Sequence, residues 1–207
     1  MPVSPFNNSE LKDRFCKILR DTQRENIDYV LDDLESWGFF DAPASAQGHY
    51  AFPGGLMAHS LNVYDAALAT RETMINLRPD LADELKIDSI TISALLHDVC
   101  KADLYQLTRK KRKNEIGMYE DMEVYEFQDE SFPVGHGEKS VILLLQSGLD
   151  LSDEEILAIR WHMGPWNLNR DDERFYRSAG KVTPLQTLIH TADTLASGLL
   201  ERQGKKC

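Results

Sequence analysis

Residues 94–101 have the sequence Ala-Leu-Leu-His-Asp-Val-Cys-Lys, in which an apolar helical pattern ends on a histidine beside an aspartate. Burying two such polar groups is costly unless they are hydrogen-bonded, ion-paired or bound to a metal. Consecutive helical side chains point about 100° apart. His97 and Asp98 are therefore able to share one ion only if other parts of the chain complete its coordination.

The sequence supplies further imidazole and carboxylate groups on or beside other helical segments, far apart along the chain. Only a folded bundle would bring them to one place. With the doublet included, the candidate metal ligands are His59, His97, Asp98, His136, His162 and Asp193. A lone histidine on an apolar stripe, such as His59 between Leu56 and Val63, is more often a hydrogen-bonded core residue than a ligand. Because five other candidate ligands accompany His59, the metal-ligand interpretation is favoured for it.

This ordered series resembles the HD-domain metal-dependent phosphohydrolase superfamily, over roughly residues 47–200. The matching motifs are Gly-Gly-Leu-Met-Ala-His ending at His59, His97-Asp98 with Lys101, Gly-His-Gly-Glu-Lys-Ser around His136, Trp-His-Met-Gly around His162 and His-Thr-Ala-Asp ending at Asp193. One departure is Cys100, which stands between the doublet and Lys101 where the family usually has glycine. This exchange predicts at most a slight displacement of the helix end.

Length and hydropathy restrict the class of protein. At 207 residues the chain is long enough for one domain with a substantial core, and we expect residues 1–207 to form a single HD-type domain. Residues 1–46 would contribute two helices that complete the bundle, and 47–200 would form the metal-binding core. Neither a membrane-spanning apolar run nor a secretory leader is visible, so a cytoplasmic location is expected.

Cysteine usage and charge restrict the ligands. Cys16, Cys100 and Cys207 form no Cys-x-x-Cys pair, so a thiolate zinc site is not indicated. Nitrogen and oxygen ligands suit one or two divalent ions, among Mn²⁺, Fe²⁺, Co²⁺, Ni²⁺, Zn²⁺ and Mg²⁺. The net charge of −11 argues against a protein that coats duplex DNA. Phosphorylated small molecules and the ends of single-stranded nucleic acid stay open as partners, and the oligomeric state is undetermined.

Hydrophobic periodicity predicts an all-α helical bundle with a small β-hairpin excursion around residues 105–127. The resemblance implies that this bundle is HD-domain-like. One helix is expected from Leu56 to Ile75. The helix of the doublet is expected over Ile90 to Lys101, with Asp88 or Ser89 as its N-cap.

The predicted hairpin carries opposite charges on its two halves. The basic run Arg109-Lys110-Lys111-Arg112-Lys113 is followed by an acidic stretch over 120–130, with Asn114 in a polar tip. A solvated hairpin with mutual charge pairing is the favoured interpretation. In the alternative, the hairpin is a flap in which Arg109 and Lys110 attract a substrate phosphate.

Three further residues have two interpretations each. Lys101 follows the doublet by about one helical turn, so its ammonium would face either a carboxylate in a salt bridge or a substrate phosphate. His49 belongs either to the pocket wall, in contact with substrate, or to an exposed loop. His190, one turn before Asp193, is either a hydrogen-bond partner outside the ligand set or a pocket-wall residue.

The resemblance implies a metal-dependent phosphohydrolase that cleaves a phosphomonoester or phosphodiester of a nucleotide or single-stranded nucleic acid. A metal-activated hydroxide would attack phosphorus, with Asp98 and Lys101 as the catalytic residues. The simplest one-ion site consists of His59, His97, Asp98 and Asp193. His136 and His162 then indicate a second ion, and Asp98 would bridge the two.

Two other functions compete with this one. The Gly-Gly-Leu pattern before His59 is most similar to the HD exoribonucleases, but no separate nucleic-acid-binding domain is recognisable, so that interpretation is secondary. A non-catalytic nucleotide-binding or regulatory HD module is the alternative from another class. The complete set of six expected ligands favours the enzyme.

Overall fold

The computed structural model describes residues 4–113, 117–129, 132–166 and 168–202, and it confirms the predicted helical bundle with one hairpin. The helices in this part of the chain are α1 (Asn8–Asp21), α2 (Ile27–Ser36), α3 (Gly55–Leu77), α4 (Leu81–Glu84), α5 (Ile87–Leu96), α6 (His136–Gln146), α7 (Asp153–Trp161), α8 (Arg170–Val182) and α9 (Pro184–Leu195). A 3₁₀ segment (Val99–Asp103) follows α5, and a π-helical segment (Ala196–Leu200) follows α9. Among these helices, none combines the length and apolar character needed to cross a membrane.

Two hydrophobic clusters hold the helices together. The larger cluster includes Phe15 of α1 and Leu34 of α2, so the N-terminal helices share a core with α3 and α5. The second cluster joins α3, α5, α7 and α9 through residues such as Val63 and Ile189, both fully buried. The helices that carry most of the candidate ligands are therefore fixed to one another by apolar packing.

The helix of the doublet differs from the prediction at both ends. It begins at Ile87 after an extended Lys86, so Asp88 and Ser89 lie inside the first turn and neither is its N-cap. It ends at Leu96, and the chain continues into the 3₁₀ segment that contains Lys101. Because Asp98 has φ −112° and ψ 18°, it lies at the break between the two helices rather than within a regular α-helix.

Local capping signals explain other boundaries. Ser152 and Glu155 form the capping box that starts α7. Thr183 caps α9, and Pro184 is its first residue. Helix α8 has no counterpart among the predicted helices, because it is mostly polar and buries only Ala179 completely.

The hairpin consists of β1 (Tyr105–Lys113) and β2 (Tyr119–Phe127), paired antiparallel from Tyr105 opposite Phe127 to Lys113 opposite Tyr119. Its charges pair as predicted: Nε of Arg109 lies 3.3 Å from a carboxylate oxygen of Glu123, and Lys110 pairs with Glu126. The predicted tip residue, Asn114, lies outside the described residues.

Arg24, in the turn between α1 and α2, connects three separate parts of the bundle. Its Nε donates to Asp88 of α5 at 2.6 Å, and another guanidinium nitrogen donates to the fully buried carboxylate of Glu155 in α7. A third bond, 3.0 Å long, runs to the backbone carbonyl of Asp150. Arg24 therefore compensates a carboxylate that is shielded from water.

Replacing Arg24 by methionine should lower the free energy of unfolding by about 3 kcal/mol or more, because Glu155 would keep a buried charge without its partner. Urea denaturation measures the change. Arg20→Met is the matched control: the Arg20–Asp28 pair is exposed, and such pairs contribute at most about 1 kcal/mol. Equal losses in the two variants would contradict a structural role for the buried pair.

Candidate metal centre

The structure brings the six predicted ligands together where α3, α5, α6, α7 and α9 meet. His59 lies in α3, Asp193 lies in α9, and His136 is the first residue of α6. The doublet directly follows α5, and His162 directly follows α7. We call these residues the histidine–carboxylate cluster. Their nitrogen and oxygen atoms lie within 4.8 Å of one another in three overlapping groups: His59, His97 and Asp98; His97, His162 and Asp193; and Asp98, His136 and His162.

The Asp98 carboxylate lies at the centre of the cluster and is 1% exposed. Its Oδ1 is 2.7 Å from Nε2 of His136 and 3.3 Å from Nε2 of His162. Its Oδ2 is 2.6 Å from Nζ of Lys101 and 3.3 Å from Nε2 of His97. Both oxygens are thus in contact with nitrogen atoms from different parts of the chain.

The orientation of two imidazole rings is fixed from behind by backbone carbonyls. Nδ1 of His97 donates to the carbonyl of Ala94 at 2.8 Å, and Nδ1 of His162 donates to that of Ile159 at 2.7 Å. A carbonyl only accepts, so Nδ1 carries the hydrogen in each ring. In a neutral ring Nε2 then presents a lone pair to the cluster, which is the arrangement of metal-binding histidines.

The cluster contains buried nitrogen atoms that protein groups do not satisfy. Nε2 of His59, His97 and His162 is buried and makes no well-directed hydrogen bond to any described residue. Nε2 of His59 lies 3.2 Å from Asp193 and 3.7 Å from Asp98. Buried polar groups in proteins are nearly always satisfied, and imidazole with carboxylate is a donor set for divalent transition metals. The residues present therefore fit a metal ion.

Neighbouring charges keep both carboxylates ionised despite burial. Burial alone would raise the pKa of Asp98, but Lys101 and His97 outweigh it and hold that pKa well below the usual range. Burial would also raise the pKa of Asp193, and the adjacent His59 ring more than compensates, so this pKa is lowered as well. Two negative charges consequently face the imidazole rings at neutral pH.

Two equally buried histidines differ in the direction of their pKa shifts. Burial lowers the pKa of His97, so its ring is neutral at neutral pH. Burial acts in the same direction on His59, but the carboxylates of Asp193 and Glu201 beside the ring outweigh it and raise the pKa of His59 to about 9. Without a metal, His59 therefore carries the proton that a cation would have to displace.

Lys101 and Cys100 complete the immediate surroundings of Asp98. The pKa of Lys101 is lowered by burial and raised more strongly by Asp98, so it stays charged. Its 2.6 Å contact with Asp98 is the carboxylate salt bridge that the sequence allowed; contact with a substrate phosphate stays a prediction. Burial raises the pKa of Cys100 to about 12, so its Sγ, 3.3 Å from Nδ1 of His136, belongs to a neutral thiol rather than a thiolate ligand.

The remaining predicted residues lie around the cluster or apart from it. The ring centroid of His49 is 5.2 Å from that of His59, so His49 lies beside the cluster; its contact with substrate stays a prediction. His190 donates from Nδ1 to the carbonyl of His162 at 2.7 Å, and so acts outside the ligand set. The side chains of Arg109 and Lys110 pair with carboxylates of the hairpin, and their contact with substrate stays a prediction.

Glu201 is a residue of this site that the sequence did not reveal. Its fully buried carboxylate accepts a hydrogen bond from Nδ1 of His59 at 2.9 Å. Glu201 follows an apolar helix at the start of a polar segment, where an exposed acid is the ordinary expectation. The approach of Glu201 to His59 depends on the π-helical turn before it. No pattern in the sequence predicts that turn.

A helical bundle around a buried cluster of histidines and carboxylates is the architecture of a domain that could hold a metal ion. The chain belongs to the HD domain family, whose model matches residues 56–198. Members of this family are generally metal-dependent phosphohydrolases, and the residues that carried the resemblance lie in the cluster described here. Neither the curated proteins nor the solved structures gave a match to the chain.

The apparent affinity for Mn²⁺ should rise by about tenfold per pH unit between about pH 6.5 and 8.5, because binding displaces one proton from His59. Isothermal titration in buffers of different ionisation enthalpy counts that proton. Since the folded pKa is raised to about 9 from 6.5, His59 stabilises the metal-free fold fully below pH 6.5, and that contribution is lost as pH rises through about 9. An affinity independent of pH would contradict this protonation state.

Proposed function

We propose that this protein is a metal-dependent phosphohydrolase that acts on a phosphoester of a nucleotide or of a single-stranded nucleic-acid end. The observation that carries the proposal is the convergence of buried, unsatisfied imidazole nitrogens on the Asp98 carboxylate. A structural histidine cluster would satisfy these atoms internally, whereas a metal site leaves them for the ion. The family of the chain agrees with this chemistry.

The geometry supports two neighbouring ion positions that share Asp98. One position would be held by His59, His97, Asp98 and Asp193, and the other by Asp98, His136 and His162. Oδ2 of Asp98 faces His97 and His59, while Oδ1 faces His136 and His162. The two oxygens therefore lie nearest different groups of imidazoles, and Asp98 would contribute to holding both ions.

When bound, divalent ions supply Lewis acidity, which withdraws charge from a phosphoester and makes water a usable nucleophile near neutral pH. The side chains would perform the remaining work. The carbonyl-anchored rings of His97 and His162 hold their nitrogen atoms in place without reorganisation. Lys101 adds a positive charge that stabilises phosphoryl oxygens in the transition state, and no nucleophilic side chain is needed.

The chemistry of the site supports a phosphorylated substrate. A phosphoryl group is small and anionic, which suits a site made from one ammonium and a set of cation ligands. The similarity of the Gly-Gly-Leu segment to HD exoribonucleases keeps a single-stranded end among the candidates. The competing function is a regulatory module that binds a nucleotide without hydrolysing it, and turnover distinguishes the two.

Asp98→Asn should remove most bound metal, because an amide lacks the negative charge that the two proposed ion positions share. Metal-supported hydrolysis of bis-p-nitrophenyl phosphate should fall by roughly 10². Elemental analysis should give about one or two ions per wild-type chain. Asp103→Asn is the matched control: Asp103 lies in the same 3₁₀ segment and pairs with Lys139 at 2.8 Å. Unchanged metal content in Asp98→Asn would remove this residue from the ligand set. A metal-loaded wild type that turns over no phosphoester in a nucleotide panel would favour the binding module.

Lys101→Met should lower turnover by roughly 10², the usual cost of losing one transition-state donor, with metal content close to wild type. Neutral replacements of Arg109 and Lys110 provide the comparison. They should weaken apparent affinity for polyanionic substrates in a salt-dependent way and leave small substrates nearly untouched. If Lys101→Met leaves turnover unchanged, or if it lowers the metal content, the phosphate contact is wrong. The role of Lys101 is then the salt bridge with Asp98.

A further inference from the structure

The C-terminal end of the bundle presents a carboxylate to each nitrogen of the same imidazole ring. Asp193 lies 3.2 Å from Nε2 of His59, on the side of the cluster. Glu201 lies 2.9 Å from Nδ1, on the opposite side of the ring. The ring is therefore held from behind by one carboxylate while its other nitrogen faces the candidate ligands.

The π-helical turn accounts for the position of Glu201. Segment Ala196–Leu200 has π-helical winding, and the backbone N–H of Glu201 bonds to the carbonyl of Ala196, five residues earlier, at 3.0 Å. A π turn rotates the following residues relative to a continued α-helix, and such turns are frequent at functional sites. This winding turns the Glu201 side chain inward, although the preceding residues Leu199 and Leu200 are exposed.

Glu201 is itself held in place by neighbours from α3 and the loop before it. Nδ2 of Asn62 donates to Glu201 Oε1 at 3.1 Å and also to the hydroxyl of Tyr50 at 3.1 Å. The carboxylate is fully buried. A buried carboxylate is costly without partners, so these contacts indicate a position that the fold maintains rather than a surface acid that happens to lie nearby.

We infer that Glu201 is a positioning residue of the metal centre, which holds the Nδ1 hydrogen of His59 so that Nε2 is directed at the ion. This inference rests on the metal centre proposed above. Carboxylate–histidine–metal arrangements of this kind orient the ring and strengthen its nitrogen as a ligand, and losing the outer partner typically weakens metal affinity by about 10-fold to 100-fold.

The same geometry argues against a different assignment for Glu201. His49, His59 and Glu201 also form a group whose nitrogen and oxygen atoms lie within 4.8 Å of one another. A cation there would need the lone pair of His59 Nδ1. That nitrogen is within 3.1 Å of both Glu201 oxygens, where it donates its hydrogen. Glu201 is thus assigned to the ring and not to an ion of its own.

The experiment compares Mn²⁺ dissociation constants of wild type, Glu201→Gln and Glu201→Ala, by isothermal titration after chelation and dialysis. Glu201→Ala should weaken binding by about 10-fold to 100-fold. Glu201→Gln should recover part of that loss, because an amide oxygen still accepts from Nδ1. The visible absorption of bound Co²⁺ should change in the alanine variant and be closer to wild type in the glutamine variant.

Glu155→Gln is the matched control, since Glu155 is also fully buried but pairs with Arg24 at the opposite end of α7 from His162. It should lower the melting temperature and leave the Mn²⁺ dissociation constant unchanged. If Glu155→Gln weakens Mn²⁺ binding as much as Glu201→Ala, the effect comes from general stability and the positioning role is wrong.

The outcomes separate this inference from the proposed function. If wild type binds Mn²⁺ and both Glu201 variants bind it equally tightly, only the role of Glu201 is wrong. If wild type binds no Mn²⁺, the metal centre itself is wrong, and the positioning role with it. If Glu201→Ala does not fold, wild type is compared with Glu201→Gln alone. A dissociation constant and a Co²⁺ spectrum that are both unchanged in Glu201→Gln would then overturn the inference.

Discussion

An ionised carboxylate in the interior of a bundle is stable only when positive or hydrogen-donating groups surround it. Asp98 obtains such groups from two parts of the chain: Lys101 in the 3₁₀ segment and His136 at the start of α6. These groups come from separate segments of the chain. The packing of the helices that forms the apolar core therefore also assembles the site, and the break in the chain at Asp98 directs the carboxylate toward these groups.

The same carboxylates make the histidines chemically unequal. His59 and His97 are equally buried, yet burial dominates for His97 and leaves it neutral, whereas Asp193 and Glu201 raise the pKa of His59. A proton on His59 supplies the positive charge that a bound cation would supply, because the ring lies between the carboxylates of Asp193 and Glu201, which would otherwise repel one another. The cluster is thus arranged to accept positive charge, and protons and metal ions compete for that role.

The convergence of the candidate ligands was predictable because each is a residue type that is rare and costly inside an apolar pattern, as with His97 and Asp98. The hairpin was predictable from β-prone residues around a charged tip, and the start of α9 from its cap. Three features were not. The break at Asp98 and the π turn before Glu201 depend on tertiary packing, which local propensity does not encode. Helix α8 is mostly polar and buries little besides Ala179, so its few apolar residues were not read as a helix.

The charge distribution determines how an acidic chain would receive an anionic substrate. The net charge is −11, and the basic residues Arg109 and Lys110 are paired with acids of the opposite strand. Attraction for the phosphoryl group that is cleaved must then come from the site itself, where Lys101 is already in contact with Asp98. Bound cations would be the largest local charges there and would reverse the sign of the potential. Substrate affinity should consequently depend on metal loading, so the groups that hold the His59 ring would influence substrate binding without touching the substrate.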